Sequence, residues 1–208
     1  MSATTSSISP VATTSVGVPA DVAIWRLRVE QYHAMIQAGI LAEDDPVELL
    51  EGWLVTKMPK NPRHRVVTQL TREALAQVLP PGWYVDAQEP ITTADSEPEP
   101  DVVVVQGSRR AYLDRHPGPQ DIALVIEVAD SSLQHDRSSK KRLYAAAAIT
   151  EYWIINLIAN QVEVYTDPSG SGAQADYRHS RSYALSDTVP VLLEGREVGS
   201  LLIQDLLP

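Results

Sequence analysis

The sequence predicts a mixed α/β layer structure, and three observations carry that prediction. Two near-continuous apolar runs, DVVVVQ at 101–106 and IALVIEVA at 122–129, have the composition of strands buried on both faces and so central in a sheet. Segments of helical period stand on either side of this strand-rich stretch, one beyond Pro62 and one over 136–148. From residue 62 the order is then helix, three strands, helix, strand.

Taken in order, WRLRVEQYHAMIQA at 25–38 places apolar and aromatic groups at helical intervals, with Gly39 as a C-terminal stop. ELLEGWLVTKM at 48–58 reads as a hairpin turning at Gly52. In VVTQLTREALAQVL, Val67, Leu70, Ala74 and Leu75 form one stripe that ends before Pro80-Pro81-Gly82. WYVDAQEPI at 83–91 supplies the first of the three strands. The helix over 136–148 takes Asp136 as its N-cap. EYWIINL at 151–157 and QVEVYTD at 161–167 follow as strands, and after a Gly/Ser loop at 169–172 VPVLLEGREVGSLLI adds an edge hairpin.

With 208 residues and 44% hydrophobic content, the chain fits one domain over 21–208 preceded by a tail over 1–20. It has no cysteine, which excludes disulfides and thiolate metal sites and favours a reducing compartment, with cytoplasm as the default reading. The Ser/Thr/Val/Ala-rich start lacks the pattern of a signal peptide, and no apolar run approaches the roughly 20 residues of a membrane span. A net charge of -10 opposes broad contact with a phosphate backbone, so any nucleic-acid contact is local. The candidate basic patches are Arg63-His64-Arg65, Arg109-Arg110, and Arg137 with Lys140-Lys141-Arg142, each of which also reads as ordinary solvated surface.

Glu127 is the most unusual residue, a carboxylate inside LVIEVA that needs a cation, a donor or an opening beside it. Strand alternation puts it on the face of Ala123 and Val125, the small alanine leaving room. Asp101 opens its strand directly after Pro100, and antiparallel pairing of the two strands would bring both carboxylates to one edge of the sheet. A helical crossover to a parallel strand would start the next helix near Glu127. Helical spacing there sets Lys140 on the side of Leu143 and Ala147 and turns Lys141 away. Two carboxylates and an ammonium suit phosphodiester hydrolysis, because hard oxygen ligands hold Mg²⁺ or Mn²⁺ and the ammonium stabilises developing negative charge.

Pro100-Asp101, Glu127-Val128-Ala129 and a following lysine resemble the PD-(D/E)XK nuclease superfamily, as does the element order. More closely, VELLEGWLV, Pro62-Arg63-His64, PEPDVVVV, LVIEVADSSLQHDRSSKKRLYAAAAITEYWIINL and QVEVY are similar to the Uma-type family of restriction endonucleases, over roughly residues 25 to 208. The resemblance implies a restriction-endonuclease-like core, a mixed central sheet flanked by helices with N- and C-terminal hairpin additions. It implies Asp101 and Glu127 as metal ligands, the Val128 carbonyl as a further ligand, Lys140 as the catalytic lysine, and Glu48 and His64 as auxiliary groups. The superfamily's lysine two residues after the glutamate is Ala129 here, so the lysine has moved to the helix, where Lys141 is the alternative to Lys140.

The expected activity is metal-dependent hydrolysis of DNA, with Mg²⁺ or Mn²⁺ as cofactor, no membrane partner, and a homodimer as one way to cut both strands. The other readings are a nuclease fold without turnover that binds DNA or protein, and a structural α/β protein in which Asp101 and Glu127 never meet. Each residue also has a plainer role: Asp101 a strand start after proline, Glu127 half of a structural salt bridge, His64 a surface residue, Glu48 a solvated hairpin glutamate.

Overall fold

The computed structural model describes residues 23–42 and 44–207, so the expected tail lies outside the described residues. The first helix, α1 (Val29–Gln37), begins four residues later than its apolar pattern. Ahead of it, Leu27 N–H donates to the Gly52 carbonyl at 2.9 Å, which ties this segment to the hairpin turn instead of to a helical ladder. That hairpin joins β1 (Val47–Leu50) to β2 (Trp53–Thr56) through Glu51 and Gly52, both at positive φ (48° and 79°), the geometry of a type I′ turn. A Cβ on Gly52 would lie 2.6 Å from that of Arg26, so glycine is also what admits the incoming chain.

Helix α2 (Pro62–Val78) starts with Asn61 accepting from His64 N–H and proline in the first turn, and buries Val67, Thr71 and Leu75. The central sheet then collects β3 (Trp83–Asp86), β4 (Val102–Gln106), β5 (Ile122–Ala129), β6 (Glu151–Asn156), β7 (Gln161–Ser169) and β8 (Asp176–Ala184), in that spatial order. It is a mixed sheet: β5 and β6 are parallel and every other neighbouring pair is antiparallel. The 133–146 crossover between β5 and β6 consists of α3 (Leu133–His135), a π-helical turn (Asp136–Lys140) and α4 (Lys141–Ala146).

Three expectations need correction. Asp136 is not an N-cap; the helical run begins near Ser132, and Asp136 is a buried member of the π-turn. The C-terminal hairpin, β9 (Thr188–Leu193) with β10 (Arg196–Leu202), is not an edge of the main sheet but a separate two-stranded sheet. It packs Val189, Val191, Leu193 and Leu201 into the same core as Val67, Leu75, Leu124 and Ile126, with the short α5 (Ile203–Leu206) beside them. Ala123 does not share a face with Glu127: the register slips between Val104 and Val105, leaving Ala123 as the extra residue of a β-bulge. It therefore packs with Leu124 and Ile126 on one face, while Ile122 joins Val125 and Ala129 on the other.

The two faces carry separate cores. One holds α2, α5 and the C-terminal hairpin, and the other is covered by the β5–β6 crossover, where Leu143, Tyr144 and Ala145 pack on Val125, Tyr152 and Ile154. Among the described residues no helix is long and apolar enough to cross a membrane.

Candidate active site

Antiparallel pairing of β4 with β5 matches Val102 with Ile126, so Asp101, one residue before β4, comes opposite Glu127. Both lie on the sheet face of Val103 and Val125, at the end where β5 gives way to the crossover. Asp101 Oδ2 accepts from Val128 N–H at 2.9 Å and lies 3.0 Å from His64 Nε2, at the start of α2. A strand residue sends its N–H and C=O to the same neighbour, so the Val128 carbonyl leaves β5 on the Asp101 side. Lys60 Nζ stands 3.5 Å from the other oxygen, Oδ1.

Lys140 Nζ lies 3.1 Å from Glu127 Oε1 and 3.3 Å from Glu48 Oε2, buried with both. Lys141 points elsewhere, to Asp176 at 2.9 Å and over the Tyr165 ring. The position two residues after Glu127 holds buried Ala129 on the same face, and the ammonium reaches Glu127 from the helix instead. The turn that delivers it is π-helical, and Tyr152 OH donates to the carbonyl of Asp136 within it at 3.1 Å. Glu48, implied as an auxiliary group and otherwise read as a solvated hairpin glutamate, is buried, and its Oε2 also accepts from Glu99 N–H at 3.1 Å.

These groups line one pocket of about 90 Å³, in which six carboxyl groups face three lysines. The surplus of acid shows in the titration of its members. Burial pushes Glu127 up to about 8, and Asp101 and Asp136 add to the rise against the opposing pull of Lys140 and the Tyr144 hydroxyl, which donates to Oε1 at 2.6 Å. Burial likewise takes Asp136 to about 6, against the Ser132 hydroxyl and Lys140, and its Oδ2 is buried without a hydrogen-bond partner. Asp101 goes the other way: burial would raise it, but His64, the Val128 N–H and Lys60 hold it below the usual carboxylate range. Burial works against the Lys140 charge, yet Glu127 and Glu48 outweigh it and raise its pKa, so the amine stays an ammonium.

Among the described residues no three His, Asp or Glu side chains converge into a ready-made metal cage. The donors on offer are two facing carboxylates and a strand carbonyl, with both recorded donors to Glu127 falling on Oε1. Such a set fits a hard cation that keeps several waters, as Mg²⁺ does. The sequence did not single out Tyr144, Lys60 or the inward turn of Asp136. Tyr144 follows Lys140 by four residues on the same helical face, which is the one signal that pointed to it.

Most of the expected basic patches are neutralised. Arg137 pairs with Glu163 at 2.6 Å, Arg142 with Glu51 at 2.6 Å and Arg109 with Asp86 at 3.2 Å, while Arg63 donates to the Leu157 carbonyl and Asn160. His64 is buried against Asp101, and Arg65 stays exposed.

No curated protein matches the chain. Among solved structures it is similar to one described as a "putative nuclease belonging to DUF820" from Anabaena variabilis ATCC 29413, with a TM-score of 0.59 at 20% identity, over 82% of this chain and 94% of that one. At that identity the likeness establishes the fold alone, which here is a mixed sheet flanked by helices. The family profile described as "Putative restriction endonuclease" matches residues 29–199, and the chain therefore belongs to that family, Uma2.

Proposed function

We propose that this pocket hydrolyses DNA phosphodiester bonds with Mg²⁺ or Mn²⁺ held by Asp101, Glu127 and the Val128 carbonyl. The observation that carries the reading is the register that faces Asp101 with Glu127 while Lys140 Nζ stands 3.1 Å from Glu127. When bound, a divalent cation would neutralise charge on the scissile phosphate and lower the pKa of a coordinated water.

The protein groups divide the remaining work. The raised pKa of Lys140 makes it a hydrogen-bond donor rather than a base, suited to orienting a water and stabilising charge that develops on the phosphate. His64 fixes the rotamer of Asp101 through Oδ2, leaving Oδ1 for a cation or for Lys60. Glu48 holds Lys140 as a second acceptor at 3.3 Å beside Glu127 and is a positioning residue. Cutting both strands of a duplex needs two such pockets, as in a homodimer, or two visits by one.

A second reading, a nuclease fold that binds DNA or protein without turnover, draws on the absence of a preformed cage among the described residues and on the pairing of Arg137 and Arg142 with acids. Nicking of supercoiled plasmid separates the two. The first reading expects cleavage that requires Mg²⁺ or Mn²⁺, stops with EDTA, and falls by about a hundredfold or more in Asp101→Ala, Glu127→Ala and Lys140→Ala. Undiminished cleavage by Glu127→Ala would assign the activity to a contaminant, and metal or DNA binding without cleavage would favour the second reading.

A further inference from the structure

A groove of about 880 Å³ beside the first half of α2 adjoins the pocket, and Lys60 and Asn61 line both. Arg65, Gln69 and Arg72 line the groove at spacings of four and three residues, one stripe along the helix. The two arginines are separated by about 10 Å along its axis. Neither has a carboxylate within salt-bridge distance among the described residues; Arg72 donates to the Gln69 amide at 3.3 Å, and Arg65 is exposed. That sets them apart from Arg137, Arg142, Arg109 and Arg115, each held by an acid. Asp86, the acid on the groove's rim, is itself paired with Arg109.

We infer that this groove is the track for the backbone of a DNA duplex flanking the scissile phosphate, with Arg65 and Arg72 each on a phosphate and Lys60 leading the strand to Asp101. The inference rests on the nuclease reading for its substrate and extends it to a binding surface. In a chain of net charge -10, unpaired cations are where an anionic polymer can settle, and here a stripe of them ends at the proposed site of cleavage. Gln88 adds a neutral polar group to the groove, which suits phosphate and sugar contacts, while the Gln69 amide is held by Glu73 at 2.7 Å and the buried Thr68 hydroxyl by the His64 carbonyl.

The test is fluorescence anisotropy with a short labelled DNA duplex, in Ca²⁺ to suppress cleavage and again in EDTA, over a salt series. The Arg65→Gln/Arg72→Gln double variant should bind at least about tenfold more weakly, with the slope of log affinity against log salt shallower by about 1.8, the loss of two phosphate contacts. Arg110→Gln/Arg178→Gln removes the same charge elsewhere and should change affinity much less. Equal losses in the two double variants, an unchanged slope, tighter binding of an RNA duplex, or no binding by the parent would each overturn the groove. Parent binding with the expected loss but no cleavage in Mg²⁺ would keep the groove and sink the nuclease reading. Cleavage by a parent whose binding ignores Arg65 and Arg72 would do the reverse.

Discussion

Glu127 and Glu163 stand in one row of the central sheet, each in register with Ile154 from opposite sides. Two strand spacings, about 9.6 Å, separate them. The same π-turn sends a cation to each, Lys140 to Glu127 and Arg137 to Glu163. Their other neighbours differ. Glu163 also accepts from Asn156, Gln161 and Tyr165, and although burial opposes its charge, these donors and Arg137 bring it down to about 2. Glu127 has Lys140 and Tyr144 on a single oxygen, faces Asp101 and Asp136, and rises to about 8. A buried carboxylate surrounded by donors is structural; one short of donors and crowded by acids is where a cation would lower the energy most.

The largest expected effect on stability tests the saturated member. Glu163→Ala removes the partner of Arg137 and leaves Asn156 and Tyr165 without their acceptor. Because Arg137 is partly exposed, the cost should fall below that of a fully buried pair, at about 2–3 kcal/mol. Urea unfolding measures it, and Glu127→Gln in the same assay without metal should be neutral or stabilising. A larger loss from Glu127→Gln than from Glu163→Ala would reverse the assignment of structural and functional roles.

The pair also predicts opposite dependence on pH. Glu163 has a folded pKa below its usual value of 4.5, so its contribution is present above about 4.5 and is lost as pH falls toward 2. Glu127 has a folded pKa above that value, so its own contribution to metal-free stability is most favourable below about 4.5 and declines as pH rises toward 8. Thermal unfolding in EDTA should show both trends: Glu163→Gln flattens the acid limb, and Glu127→Gln flattens part of the other. Asp136, Glu89 and Glu151, all raised by burial and the last to about 7, contribute to the same limb. Affinity for Mn²⁺, which competes with the proton on Glu127, should tighten as pH rises from 6 to 8. A stability profile unchanged by Glu127→Gln would remove the frustrated carboxylate from the account.

Much of this row was legible in the sequence because strands report burial directly. LVIEVA exposed Glu127 as an acid in an apolar run, and Pro100 marked where Asp101's strand begins, so the facing pair followed from antiparallel pairing alone. The features that stayed hidden depend on where a local period breaks. The bulge at Ala123 shifts the alternation by one residue, and no sequence pattern announced it. The edge strand β8 buries only Tyr177 and Tyr183 out of DYRHSRSYA, too little to set an alternating signal against its charged neighbours. Asp136 looks like an N-cap because it opens the basic, alanine-rich segment, but the chain enters the helix at Ser132 and the π-turn carries the carboxyl inward. The burial of Glu48 was hidden for a related reason: only the family resemblance pointed to the residue, and its hairpin folds back over the pocket through the bridge between Leu49 and Glu97.

The smallest expected effect addresses the choice between adjacent lysines. Lys140 and Lys141 differ by one position, and straight helical geometry would swing one for the other with a modest rotation. The π-turn sets that rotation, placing Lys140 among Glu127, Glu48 and Tyr144 while Lys141 meets Asp176, a residue more than half exposed. An exposed pair of that kind contributes less than about 1 kcal/mol, and its cation–π contact with Tyr165 adds about as much at most. Lys141→Ala should therefore lower the urea midpoint slightly and leave plasmid nicking within about twofold of the parent. If Lys141→Ala abolished nicking while Lys140→Ala retained it, the cation beside Glu127 would be a structural counterpart of Arg137, and the two members of the row would be alike after all.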